Sequence, residues 1–108
     1  MADDAVIVLS TFPTSEKAAE IARSLVEERL CACVNLVQQV RSIYRWKDAV
    51  SDDQEVLAII KTTRARSDEL SARLVSLHPY EVPEVIVIPI DSSSSHAPYL
   101  AWLTDSVR

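Results

Sequence analysis

The amino-acid sequence predicts an α+β fold in which a four-stranded sheet carries two helices on one face and a short helix follows at the C-terminal end. Three observations predict it. Continuous apolar runs recur at Ala5-Val6-Ile7-Val8-Leu9, Val56-Leu57-Ala58-Ile59-Ile60 and Val85-Ile86-Val87-Ile88-Pro89-Ile90, the pattern of strands covered on both faces. Two amphipathic segments with apolar residues at helical spacing lie between them. The second of these must stop at His78-Pro79, because Pro79 lacks a backbone donor and turns His78 away from helical ψ, while Pro83 keeps the link extended.

The elements follow in order. Ala5 to Leu9 is a buried strand ended by Ser10-Thr11-Phe12-Pro13. Thr14 or Ser15 caps a helix with Glu16 in its first turn and Ala18, Ile21, Ala22, Leu25 and Val26 on one face, reaching to Leu30. The chain then runs extended to Trp46, and Gln38-Gln39, without apolar support, reads as a bulge or interruption. The stretch Lys47 to Gln54 is polar, so Ser51-Asp52-Asp53-Gln54 is expected to turn the chain into the strand Val56 to Ile60 and close a hairpin. Thr62 to Ser67 reads as a link, and Leu70, Leu74 and Leu77 mark a second helix ended by Pro79. After the last strand, Ser92-Ser93-Ser94-Ser95 is a loop, and Tyr99, Leu100, Trp102 and Leu103 mark a final helix starting near Pro98.

Composition narrows the function. With 108 residues the chain reads as one domain, 1–108. A net charge of −5 leaves no stripe of Lys and Arg for a phosphate backbone, so nucleic acid is not an expected partner. The first residues, Met1-Ala2-Asp3-Asp4, are acidic where a secretory signal would be basic, and no apolar run reaches membrane-spanning length, so a cytoplasmic protein with no membrane partner is expected. There is no glycine at all. That excludes a Gly-rich phosphate loop, a dinucleotide fingerprint and a Gly-x-Ser-x-Gly nucleophile elbow. Cys31 and Cys33 would share a face if both lay on one strand, where disulfide geometry is rarely met, so reduced thiols are expected.

The order strand, helix, strand, strand, helix, strand, helix is the ferredoxin-like βαββαβ sandwich with an extra C-terminal helix. Both main helices of that fold lie on one face, yet three strands are apolar on both. About seven apolar side chains would look to the other side, at about 1.5–3 kcal/mol each when buried, or on the order of 10 kcal/mol as an upper bound. A whole domain is stable by about 5–15 kcal/mol. The uncovered face is therefore expected to meet copies of the same chain.

Five motifs, Cys31-Ala32-Cys33-Val34-Asn35, Ser42-Ile43-Tyr44-Arg45-Trp46, Glu55-Val56 to Ile60-Lys61-Thr62, His78-Pro79-Tyr80-Glu81-Val82-Pro83-Glu84 and Tyr99-Leu100-Ala101-Trp102-Leu103, together resemble the CutA family, the divalent-cation tolerance proteins. The resemblance covers nearly the whole chain. It implies a homotrimer similar in architecture to PII signalling proteins, a link to copper and other divalent metals with no obligatory cofactor, and no established enzymatic reaction. The copper ligands proposed for bacterial members are a Cys ending the first strand and two consecutive His before the Pro of the fourth-strand motif. Here Ser10 and Leu77 stand at two of those positions and only His78 matches. Gln38-Gln39 replaces a common Pro-Gly, and Asp48 a common Gly, which implies altered backbone in the long hairpin.

Each candidate site has a plainer reading beside it. His78 is a metal ligand or a helix-end imidazole bonded to a carbonyl. Cys31 and Cys33 form a Cys-x-Cys pair for a soft metal, or two small buried residues at a helix-to-strand junction. A Cys31, Cys33, His78, His96 set lacks zinc spacing. Similarity to trimeric CutA and PII proteins implies that Tyr44, Trp46, Lys61, Tyr80, Glu81 and Glu84 line clefts between subunits, where the alternative role is an effector or partner site with metal incidental. The plainer reading makes the aromatics interface anchors. No spacing ties a nucleophile, base and orienting acid together, so an enzyme is not expected.

Overall fold

Strand β1 (Ala5–Phe12) lies inside the sheet and pairs antiparallel on one side with β3 (Ala49–Thr63) and on the other with β4 (Ile86–Pro89). β2 (Cys33–Trp46) pairs with β3 to complete the order β2-β3-β1-β4. Helices α1 (Ser15–Glu27), α2 (Arg64–Leu77) and α3 (Ala97–Ser106) fill the expected places in the chain. This computed structural model describes residues 4–108, so of the acidic N-terminal stretch only Asp4 is described. The architecture is the ferredoxin-like α+β sandwich with an added C-terminal helix.

The core forms because strand alternation sends Val8 and Phe12 of β1 and Val56, Ala58 and Ile60 of β3 toward α1 and α2. There they meet Ala18, Ile21 and Leu25 from one helix and Leu70 and Leu74 from the other. Thr14 caps α1, its hydroxyl accepting the Lys17 N–H at 3.1 Å.

Several boundaries differ from the sequence reading, and β1 itself runs on to Phe12 rather than ending at Leu9. α1 ends at Glu27 rather than Leu30, because Arg29 takes a left-handed φ of 60° and closes a Schellman cap. In it the Leu30 N–H reaches the Leu25 carbonyl and the Arg29 N–H the Val26 carbonyl, both at 3.0 Å. The hairpin turns at Lys47-Asp48, with φ values of 49° and 62°, and not at Ser51 to Gln54. The polar residues at 51–54 belong to β3, where β2 and β3 extend past the end of β1 as a two-stranded arm with water on both faces. Arg41 clasps Asp52 across that arm with two hydrogen bonds of 2.9 and 2.7 Å. Thr62 to Ser67 is no link, since β3 runs to Thr63 and α2 begins at Arg64, whose N–H is satisfied by the Asp4 carbonyl at 2.7 Å. Lastly, β4 is confined to Ile86–Pro89.

The bulge at Gln38-Gln39 is present. The register slips between Val37 and Val40, Gln39 has a φ of 58°, and the Ser15 hydroxyl donates to the Gln38 side-chain oxygen.

Opposite the helices, the register sets Ile7, Leu9, Val37, Leu57, Ile59, Ile86 and Ile88 on one face. The third helix, given no face by the sequence, covers one end of it: Leu103 is fully buried, and Tyr99 meets Lys61 with its hydroxyl 3.4 Å from Nζ. The expectation of an uncovered face therefore holds for part of it. Val37, Ile86 and Ile88 remain 41, 48 and 40% exposed.

All four left-handed positions among the described residues, Arg29, Gln39, Lys47 and Asp48, carry a Cβ. The strain there is about 1–2 kcal/mol per residue, and glycine would relieve it at an unfolded-chain entropy cost of about 0.4–1 kcal/mol. Gln39→Gly should therefore raise the unfolding free energy in urea by about 0.5–1 kcal/mol. Asp48→Gly should give less, because Asp tolerates this region better. A loss of stability in Gln39→Gly would contradict the strain argument.

Candidate functional site

The hairpin arm and the link 78–85 leave a groove of about 610 Å³ between them, with Thr11 of β1 at its base. Ser42, Ile43, Tyr44, Trp46 and Glu55 line it from the arm, and Tyr80, Glu81, Val82 and Glu84 from the link. Five of the six residues that the resemblance assigned to a cleft thus come together. Lys61 does not join them, because it sits beneath α3 with its ammonium 5.6 Å from the Tyr99 ring centre. Glu55 was not singled out by the sequence, although an acid at the head of an apolar strand was a visible signal.

His78 holds the link in place. Its backbone N–H closes α2 on the Leu74 carbonyl at 2.9 Å, and Nε2 donates to the Thr11 carbonyl at 2.8 Å. Nδ1 accepts the Tyr80 N–H at 3.1 Å, which assigns the neutral Nε2–H tautomer. The ring stacks on Phe12 with centroids 4.6 Å apart. Burial lowers its pKa, with the Thr11 carbonyl opposing.

Inside the groove the phenols serve carboxylates. Tyr80 donates to Glu55 Oε2 at 2.6 Å, and burial together with that carboxylate holds its pKa well above the ordinary phenol range. Tyr44 donates to Asp53 Oδ2 at 2.6 Å, and this bond to the carboxylate, more than burial, raises its pKa. At the rim, Lys47 lies 3.8 Å from Glu81 and 5.6 Å from the Trp46 ring centre.

The cysteines do not share a face. Cys31 lies ahead of β2 in the core beneath the helices, where burial pushes its thiol up to about 12. Cys33 opens β2 opposite Lys61, and its thiol lies 3.9 Å from Asn35 Oδ1. Both thiols are free. His96 precedes α3 with no side-chain capping bond. Leu77 packs against the core, and Ser10 is fully buried with its hydroxyl unpartnered among the described residues. Among the described residues no group of three or more His, Cys, Asp or Glu is placed to hold a metal ion.

Sheet order, arm and groove define a small ferredoxin-like α+β protein with a recess at the root of its hairpin arm. Residues 6–106 match the family model described as CutA1 divalent ion tolerance protein, and the chain belongs to that family. It is 47% identical over 100 residues to the divalent-cation tolerance protein CutA of Thermus thermophilus, covering 93% of this chain and 95% of that one. It is also 47% identical to human protein CutA, covering 90% of this chain, but spans only 55% of that relative's length. Among solved structures, CutA from Xylella fastidiosa matches with a TM-score of 0.92 at 34% identity, covering 97% of this chain and 99% of that one. The PII-like protein CutA from Nostoc sp. PCC 7120, in apo form, matches with a TM-score of 0.89 at 39% identity, covering 95 and 97%.

Two outcomes follow from the His78 and Tyr80 contacts. The unfolded chain takes up a proton on His78 near pH 6.5, whereas the folded chain does so at lower pH. The His78 contribution is thus complete above that value and is lost as pH falls from it toward the folded pKa. Urea midpoints across pH 7 to 5 should fall with a slope that His78→Gln flattens. Tyr80→Phe strips a donor from a buried carboxylate and should destabilise by about 1–3 kcal/mol; an unchanged midpoint would show that the bond is not made in solution.

Proposed function

We propose that the protein works in the cytoplasm as a homotrimeric divalent-cation tolerance protein, in the response to metal ions and without catalysing a reaction. Copper or another divalent metal is met weakly, or at sites shared between subunits. The observation that carries the assembly is the exposed apolar surface of Val37, Ile86 and Ile88 on the sheet face that α3 leaves open. Family membership supports the cation role. Sharing between subunits accounts for the ligand set within one chain, where Ser10 and Leu77 replace a Cys and a His and both ring nitrogens of His78 are engaged.

A second reading is favoured by the groove itself. Its volume suits a small effector, and Trp46 is 40% exposed beside it. In that reading the trimer is a PII-like scaffold, its recesses lie at subunit borders, and metal is incidental.

Sedimentation equilibrium at micromolar concentration should give a trimer, and Ile88→Asp should shift it toward monomer; a stable wild-type monomer would remove the assembly. Calorimetric copper titration of the wild type and of His78→Ala separates the two readings. Weaker binding in the variant supports a metal role for this ring, whereas equally feeble binding in both favours the scaffold.

A further inference from the structure

We infer that the corner formed by Ser10, Leu77 and His78, where the family resemblance would put a copper site, is in this chain a metal-free joint that fixes the link 78–85. A divalent ion is then taken elsewhere or not at all. The inference goes beyond both readings above and is compatible with either. A metal ligand needs a free lone pair, and the His78 ring has none to give. Nε2 carries the ring proton and donates it to the Thr11 carbonyl at 2.8 Å, while Nδ1 accepts the Tyr80 N–H at 3.1 Å. Ligation at Nδ1 would strip the Tyr80 N–H of its partner, and the hydroxyl of the same residue is held at 2.6 Å by Glu55. Ligation at Nε2 would move the proton to Nδ1, where it would face the Tyr80 N–H, donor against donor. Nor is the ring free to swing out, since it is only 8% exposed and stacks on Phe12.

The two neighbours do not make up the set. Strand alternation puts Ser10 on the helix face of β1 between Val8 and Phe12, opposite Ala58, and it is wholly buried. Its hydroxyl, unpartnered among the described residues, is a neutral oxygen and not the thiolate that a soft ion prefers. Leu77 packs against the core and brings no donor. A selective site takes about three or four protein ligands, whereas this corner offers one imidazole whose nitrogens are both bonded. Hydrogen bonds and stacking therefore fix the link, and its order should not depend on divalent ions.

The test is nitrogen NMR of the imidazoles in the intact protein at neutral pH, with and without excess Zn²⁺. The chain has only two histidines, and the exposed His96 serves as the internal comparison. His78 should keep the neutral Nε2–H pattern and the Tyr80 amide should stay in place, whether or not His96 responds. Movement of a His78 ring nitrogen into the metal-bound range, with displacement of the Tyr80 amide, would overturn the inference. Copper calorimetry on Ser10→Ala gives a second readout that does not depend on His78. Affinity within about twofold of the wild type, with a urea midpoint no lower, is expected; a loss of about tenfold, the scale set by a group that matters to a metal site, would make Ser10 a ligand and end the joint reading. Absence of copper binding in the wild type would remove the metal reading above and leave this one supported.

Discussion

The His78 imidazole ties the end of β1 to the link that follows α2. One nitrogen holds the end of β1, the other holds the start of the link, and the ring face rests on Phe12 in the core. Pro79 makes the arrangement necessary, because it ends α2 and leaves the chain without a regular hydrogen-bonding partner until β4. A link of that kind would otherwise be loose. Anchored at Thr11, it brings Tyr80 within 2.6 Å of Glu55 and sets the far wall of the groove. The same two bonds leave the ring no spare lone pair, so its structural use and metal ligation compete for one nitrogen.

A glycine-free chain meets its turns in another way. Left-handed φ is needed wherever a helix closes in a Schellman cap or a two-residue hairpin follows the strand twist. Arg29, Lys47 and Asp48 supply it despite the Cβ, and Gln39 does so inside the bulge. Neighbouring contacts must hold these positions. Around Gln39 the Ser15 hydroxyl grips Gln38, and along the arm Arg41 grips Asp52. Backbone strain is thus spread over the hairpin that carries Tyr44 and Trp46, rather than stored at one point.

Element types and their order were legible because apolar periodicity reports burial directly, and the helix stop at Pro79 and the bulge at Gln38-Gln39 each had a local cause. The hairpin turn was misplaced for an equally local reason. Asp and Ser at 51–53 are turn formers by composition, but in a ribbon that extends past β1 polar residues face water without breaking the strand. Lys47-Asp48 carries no glycine to mark a tight turn. The cleft residues followed from the resemblance, not from spacing, and Lys61 shows why: strand alternation gives its face, whereas only the path of α3 decides that it sits under Tyr99. Glu55 was missed because a charged residue beginning an apolar run looks like a strand end, and its burial depends on a link more than 20 residues away in sequence.

The bulge also decides which surface the groove belongs to. Between Val37 and Val40 β2 advances three residues while β3 advances two, so the side-chain alternation of β2 inverts. Before the bulge the odd residues Asn35 and Val37 share a face with Leu57 and Ile59; after it the even residues Ser42, Tyr44 and Trp46 do. Without that extra residue Arg41, Ile43 and Arg45 would stand there instead, and the aromatic wall would lie on the opposite side of the arm. Groove and open apolar face are therefore one continuous surface. A subunit packed on Val37 would therefore lie beside the Tyr44 rim, on the same side of the arm.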